Sequence, residues 1–129
     1  MPGEDMAKFR VLLVDDEEEL VTALVERLGY RGIDAEFALN GSEALQKMHN
    51  ANFDIVVLDL KLPGMDGMRV LKNIKMDHPE LPVLLITGHG SPGDGSTEIP
   101  EGAHDYLPKP IDIEVLIKKM QEAIAHSGS

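Results

Sequence analysis

Short apolar runs alternate with segments of helical periodicity along the chain. Five runs have the length of β-strands, at 9–14, 33–38, 53–58, 81–87 and 103–107; the first, third and fourth are rich in Val, Leu and Ile, and the second alternates apolar and polar residues. Segments with apolar residues three and four positions apart are typical of amphipathic helices, and they lie at 17–30, 42–49, about 68–78 and 111–126. Ser42 is the expected cap of the second helix. The alternation predicts an α/β fold, a doubly wound five-stranded parallel sheet with helices on both faces.

The segment between the fourth and fifth strands, 88–102, departs from this pattern. Four of the chain's 12 glycines fall within its first eight residues, and two prolines flank its single apolar residue. Each interior Gly costs a helix about 1 kcal/mol relative to Ala, and each interior Pro costs about 3 kcal/mol. We therefore expect the fourth of five helices to be short, irregular or disordered.

Length and composition indicate one globular domain. The 129 residues are 43% hydrophobic and 27% charged, which suits a single core over 8–126 with tails at 1–7 and 127–129. The absence of Cys excludes disulfides, thiolate metal sites and a cysteine nucleophile. Because the start has no signal-peptide pattern and no apolar stretch approaches the ~20 residues of a membrane span, we expect a cytoplasmic protein.

The chain is strongly acidic, with 23 Asp and Glu against 12 Lys and Arg and a formal net charge of −11. Such a surface repels phosphate backbones and anionic membranes, so we expect neither nucleic acid nor a membrane as a direct partner. The five His residues are scattered without metal-ligand spacing, and zinc is therefore not expected.

Polar residues at the carboxyl ends of the predicted strands suggest a site, because ligands of doubly wound sheets bind at that edge. Asp15 and Asp16 follow the first strand, Asp59 follows the third, Thr87 ends the fourth, and Lys109 comes shortly after the fifth. Neighbouring first and third strands would bring three carboxylates together, and their mutual repulsion calls for a proton or for a cation such as Mg²⁺. A carboxylate can also act as a nucleophile towards a phosphoryl group, whose charge the metal and a lysine would neutralise.

Four sequence motifs in order, VLLVDDEE, VVLDLKLPGMDG, LLITGHG and GAHDYLPKP, carry a resemblance to a known family. The chain resembles the receiver domain of two-component response regulators, the CheY-like family, over about residues 8–125. The resemblance implies a sheet with strand order 2-1-3-4-5. It also implies that Asp59 accepts a phosphoryl group and that Mg²⁺ is held by Asp15, Asp16, Asp59 and the backbone carbonyl of Lys61.

The same resemblance implies roles for residues around this centre. Thr87 and Lys109 would stabilise the phosphoryl group, and Thr87 and Tyr106 would shift together on phosphorylation. The peptide bond between Lys109 and Pro110 would be cis.

Lys61 and His89 are the implied determinants of phosphoryl lifetime. The implied partners are a sensor histidine kinase or phosphotransfer protein and an output partner or domain, and a homodimer is allowed. The resemblance also implies that the protein is not an enzyme and that it catalyses at most its own phosphorylation and dephosphorylation.

Other interpretations remain open from the residues alone. Asp15 and Asp16 could serve only as caps of the first helix. A flavodoxin-like protein would need a phosphate-binding loop where this chain has DDEEE. A phosphatase with an aspartyl nucleophile would place an acid where this chain has Lys61, and a pseudo-receiver would only bind proteins. We further hypothesise an order–disorder switch at 91–101.

Overall fold

Five strands and four helices make up the part of the chain that the computed structural model describes, residues 9–62, 67–87 and 100–127. The strands are β1 (Arg10–Val14), β2 (Asp34–Ala38), β3 (Ile55–Asp59), β4 (Val83–Thr87) and β5 (Asp105–Pro108). The helices are α1 (Glu18–Tyr30), α2 (Gly41–Asn50), α3 (Gly67–Asp77) and α4 (Ile113–Ser127). None of these helices is long and apolar enough to cross a bilayer.

The strands form one parallel sheet in the order β2-β1-β3-β4-β5. This confirms the predicted architecture and strand order. The chain order reverses between β1 and β3, so the carboxyl ends of these two strands flank the crevice where doubly wound sheets place their ligands.

Both faces of the sheet are buried because successive strand residues alternate between two apolar clusters. Val11 and Leu13 of β1 pack in the cluster that α1 and α4 cover. Leu12 and Val14 pack in the cluster that α2 and α3 cover. Since both faces lie under helices, polar side chains of the central strands reach solvent only at the strand ends.

Two details of the predicted helices differ from the structure. Helix α2 begins at Gly41, and its cap is Asn40 rather than Ser42, because Asn40 Oδ1 accepts the Glu43 N–H at 2.8 Å. In α1, where four-residue spacing predicts a buried stripe of Leu20, Leu24 and Leu28, the buried side chains are Val21, Leu24 and Leu28, and Leu20 is only half-buried. The irregular helix expected within 88–102, with the switch hypothesis for 91–101, falls mainly on 88–99, outside the described residues.

Candidate functional site

Two buried carboxylates lie side by side at the carboxyl edge of the sheet. Asp15 follows the last residue of β1, and Asp59 is the last residue of β3, which pairs with β1. Asp15 is 0% exposed and Asp59 is 4% exposed, whereas Asp16 is exposed. One carboxylate oxygen of each of these three residues lies within 4.8 Å of the others. The structure therefore brings together the three acids that the strand ends singled out.

The ammonium group of Lys109 faces this acidic cluster. The Nζ atom of Lys109 lies 2.5 Å from Glu17 Oε1, 2.9 Å from Asp15 Oδ2 and 3.4 Å from Asp59 Oδ2. Lys109 reaches this position because it directly follows β5, and its backbone N–H donates to the Thr87 carbonyl at 2.9 Å. The peptide bond from Lys109 to Pro110 is cis.

Burial and charge shift the proton affinities of two of these groups. Burial, together with the nearby Asp15 carboxylate, raises the pKa of Asp59 above its ordinary value, although the Lys61 N–H and the Lys109 ammonium act in the opposite direction. Burial alone would lower the pKa of Lys109, but its contacts with Glu17, Asp15 and Asp59 raise that pKa well above the ordinary value. Lys109 is therefore a permanent cation, and Asp59 is the acid that binds a proton more readily than usual.

Backbone N–H groups fix one oxygen of each buried acid. The Glu17 N–H donates to Asp15 Oδ1 at 2.9 Å, and the Lys61 N–H donates to Asp59 Oδ1 at 3.0 Å. The side chain of Lys61 is exposed. The second oxygen of Asp15, Oδ2, is buried, and it lies 2.9 Å from the Lys109 ammonium as an ion pair.

Gly67 supports the loop that leaves β3. A Cβ atom at this position would lie 2.4 Å from the Leu60 carbonyl oxygen and 2.6 Å from its Cα atom. The Gly67 N–H donates to that carbonyl at 3.2 Å. This close approach allows only glycine, and it holds the backbone that follows Asp59 in place.

The two residues predicted to switch lie on adjacent strands. Thr87 ends β4 and is 8% exposed. Tyr106 of β5 pairs with Leu85 and packs, half-buried, against the cluster under α2 and α3. The predicted rate-tuning residue His89 lies outside the described residues.

The sequence prediction did not include Glu17 in the site. Its position in the acidic run DDEEE suggested only a favourable charge at the start of α1. In the structure, the Glu17 carboxylate instead accepts a hydrogen bond from the Lys109 ammonium. A periodic pattern assigns a residue to an element but not to a contact across 92 residues of chain.

Comparison with known proteins now identifies the fold. The model of the response regulator receiver domain family matches residues 11–121. The chain belongs to this family. The resemblance carried by the four sequence motifs is thereby confirmed, and receiver domains of this family take phosphoryl groups from histidine kinases.

The relatives are regulators that are longer than this chain. The DNA-binding transcriptional regulator NtrC of Escherichia coli is 36% identical over 121 residues, which cover 94% of this chain and 26% of NtrC. The transcriptional regulatory protein YkoG of Bacillus subtilis is 34% identical over 124 residues, which cover 96% of this chain and 54% of YkoG. The receiver domain thus matches about a quarter to half of the length of these relatives.

Solved structures agree with this assignment. NtrX from Brucella abortus superposes with a TM-score of 0.85 and 32% identity, covering 94% of this chain and 28% of NtrX. A response regulator receiver domain protein from Clostridium thermocellum superposes with a TM-score of 0.83 and 30% identity, covering 93% of this chain and 97% of that protein.

The donor set of this receiver domain is consistent with Mg²⁺ binding. The carboxylates of Asp15, Asp16 and Asp59 supply oxygen atoms only, which hard cations prefer over softer metals. The buried Oδ2 atom of Asp15 faces the Lys109 ammonium at 2.9 Å, and as a carboxylate oxygen it keeps lone pairs for a second cation. The site therefore fits the metal on the chemistry of its own residues.

Proposed function

We propose that this chain is a phosphoacceptor that takes a phosphoryl group onto Asp59 from the phosphohistidine of a sensor kinase or phosphotransfer protein. The observation that carries the proposal is the buried Asp59 carboxylate, 4% exposed, facing the Lys109 ammonium beside a second buried acid. A nucleophilic carboxylate needs an adjacent positive charge when a phosphoryl group with three charged oxygens arrives. Lys109 supplies that charge from this chain.

The transfer itself forms one bond and breaks another. An Asp59 carboxylate oxygen forms a bond to phosphorus, the bond from phosphorus to the donor histidine nitrogen breaks, and that nitrogen keeps the electron pair and takes up a proton. Asp15, Asp16, Asp59 and the Lys61 carbonyl would hold Mg²⁺, which when bound supplies charge neutralisation for the transferred oxygens. Lys109 pairs with those oxygens, and the Lys61 N–H orients the Asp59 carboxylate.

The output step of the proposal uses Thr87 and Tyr106. A phosphoryl group on Asp59 would lie beside the end of β4, because Asp59 pairs with Ile86, the residue before Thr87. Movement of Thr87 towards the phosphoryl group would open space beside β5, where Tyr106 lies next to β4. This change would alter the surface that an output partner or domain contacts. We also propose that the chain's own chemistry is limited to gaining and losing this phosphoryl group.

Intact mass spectrometry tests the proposal directly. Incubation with acetyl phosphate and Mg²⁺ should add the mass of one phosphoryl group to the wild-type chain and nothing to Asp59→Asn. Asp54→Asn is the matched control, because Asp54 is an exposed acid just before the same strand, β3, where it accepts the Arg10 N–H. It should gain the group as the wild type does. An adduct that persists in Asp59→Asn, or the absence of any adduct, would contradict the assignment.

A further inference from the structure

Within the described part of the chain three carboxylates share the Lys109 ammonium, and the nearest of them lies outside the predicted site. The distances of the ammonium are 2.5 Å to Glu17 and 3.4 Å to Asp59. Charge-assisted N–H···O bonds ordinarily measure about 2.7–2.9 Å. Lys109 therefore bonds closely to Glu17 and only distantly to Asp59.

The side chain of Glu17 binds Lys109 and does not cap α1. Glu17 is the N-cap residue of α1, a position whose side chain commonly accepts a helix N–H, but it makes no such bond. Its backbone N–H is instead tied to the buried Oδ1 of Asp15. The side chain is 59% exposed, whereas those of Asp15 and Asp59 are 1% and 5% exposed. Glu17 is thus the one acid on Lys109 that water can stabilise once the ammonium leaves.

We propose that Glu17 is a positioning residue that holds Lys109 back from Asp59 and must release it during phosphoryl transfer. The inference rests on the proposed function of Asp59. An incoming phosphoryl group and Glu17 compete for the same ammonium, because its three N–H donors already face Glu17 at 2.5 Å, Asp15 at 2.9 Å and Asp59 at 3.4 Å. The release of Glu17 into water is inexpensive, so the effect is a modest brake on phosphorylation and not a block.

The test is the dependence of the phosphorylation rate on acetyl phosphate concentration. Glu17→Gln removes the competing charge and keeps the size of the side chain. We expect the maximal rate to rise about two- to fivefold, the range that the loss of one exposed ion pair predicts. Intact mass at successive times, at saturating Mg²⁺, gives both the maximal rate and the half-saturating concentration.

Two variants separate the contact from the charge. Glu18→Gln removes an equal charge one residue away, from a carboxylate that makes no ion pair with any described residue. It should leave the maximal rate unchanged and lower only the half-saturating concentration, because less negative charge then repels the donor. Glu17→Asp keeps the charge but shortens the side chain by one methylene, so it should also raise the maximal rate.

The outcomes distinguish this inference from the function on which it rests. A wild-type chain that gains no phosphoryl group would overturn the proposed function itself. If the wild type is phosphorylated and Glu17→Gln has the maximal rate of Glu18→Gln, the brake is disproved while the phosphoacceptor role stands. A wild-type maximal rate in Glu17→Asp would likewise exclude a role for the close contact. A higher maximal rate in both Glu17 variants, without one in Glu18→Gln, supports the brake.

Discussion

Two cations in this receiver domain each bind several acids, at opposite edges of the same sheet. At the carboxyl edge, Lys109 is 18% exposed and faces Asp15 and Asp59, whose side chains are 1% and 5% exposed. At the amino edge, Arg10 is 38% exposed and binds Asp34 and Glu36 at 2.8 Å each. Those two acids are 62% and 36% exposed.

The difference between the two clusters is burial, and burial decides what the charges can do. Water screens the Arg10 cluster, so its ion pairs contribute little beyond local order. In the Lys109 cluster Asp15 and Asp59 lie where charges are poorly solvated, and both depend on the ammonium or on another cation. Burial in the Lys109 cluster raises the pKa of Asp59 above its ordinary value.

Removal of each cation should show the largest contrast. Lys109→Met leaves two buried acids and Glu17 without their ammonium, so the free energy of unfolding should fall by ~3 kcal/mol, as for a broken buried ion pair. Arg10→Met removes exposed ion pairs and should cost about 1 kcal/mol or less. Urea unfolding at neutral pH without Mg²⁺ measures both losses. Equal losses in the two variants would show that burial is not what separates the clusters.

Mg²⁺ should act on one cluster and not on the other. At 100 times its dissociation constant the ion should stabilise the wild type by ~2.7 kcal/mol, because it binds only the folded chain. Asp16→Asn removes a carboxylate of the acidic cluster and should weaken Mg²⁺ binding by about tenfold or more. Melting scans with and without Mg²⁺ measure this stabilisation as a shift in Tm. Asp34→Asn, in the Arg10 cluster, is the control and should retain the full stabilisation by Mg²⁺. If Asp34→Asn loses that stabilisation, the ion does not bind at the acidic cluster of Asp15, Asp16 and Asp59.

The fold could be predicted because its signal is local and repeated. The run 55–58, IVVL, presents apolar side chains to both faces of its strand, which favours burial on both sides and so a parallel sheet covered by helices. The position at which each helix begins was harder to predict, because a cap depends on a single side-chain hydrogen bond. Asn40 rather than Ser42 caps α2, since only Asn40 lies three residues before Glu43 and receives its N–H.

The acids of the site could also be predicted, because the carboxyl ends of neighbouring parallel strands must meet at one edge. That rule singled out Asp15, Asp59 and Lys109 without coordinates. It could not single out Glu17, whose contact depends on the reach of two side chains from different loops. It also missed Gly67, since a close approach to the Leu60 backbone leaves no periodic pattern in the sequence.

The smallest expected effect concerns how the free energy of unfolding of two variants, Asp59→Asn and Asp105→Asn, depends on pH. Relative to the wild type, the two variants should change it with opposite sign. The pKa of Asp59 is raised in the folded state, so the folded chain binds this proton more readily than the unfolded chain does. Above the raised pKa, the charged Asp59 carboxylate therefore lowers the free energy of unfolding. Asp59→Asn should therefore stabilise the chain by about 1 kcal/mol at neutral pH. This gain should shrink as the pH falls through the raised pKa towards the ordinary value of about 4.

Asp105 provides the opposite case on β5. Burial alone would raise its pKa, but the Lys119 ammonium at 2.7 Å and the Tyr106 N–H hold it below the ordinary value. Its charge therefore stabilises the fold above the unfolded pKa, and this contribution is lost as the pH falls through the folded one. Asp105→Asn should cost stability at neutral pH and cost less in acid. Urea midpoints of the two variants and the wild type, measured between about pH 3 and pH 7, would show differences of opposite sign that both shrink in acid. Differences of the same sign would mean that burial does not dominate at Asp59.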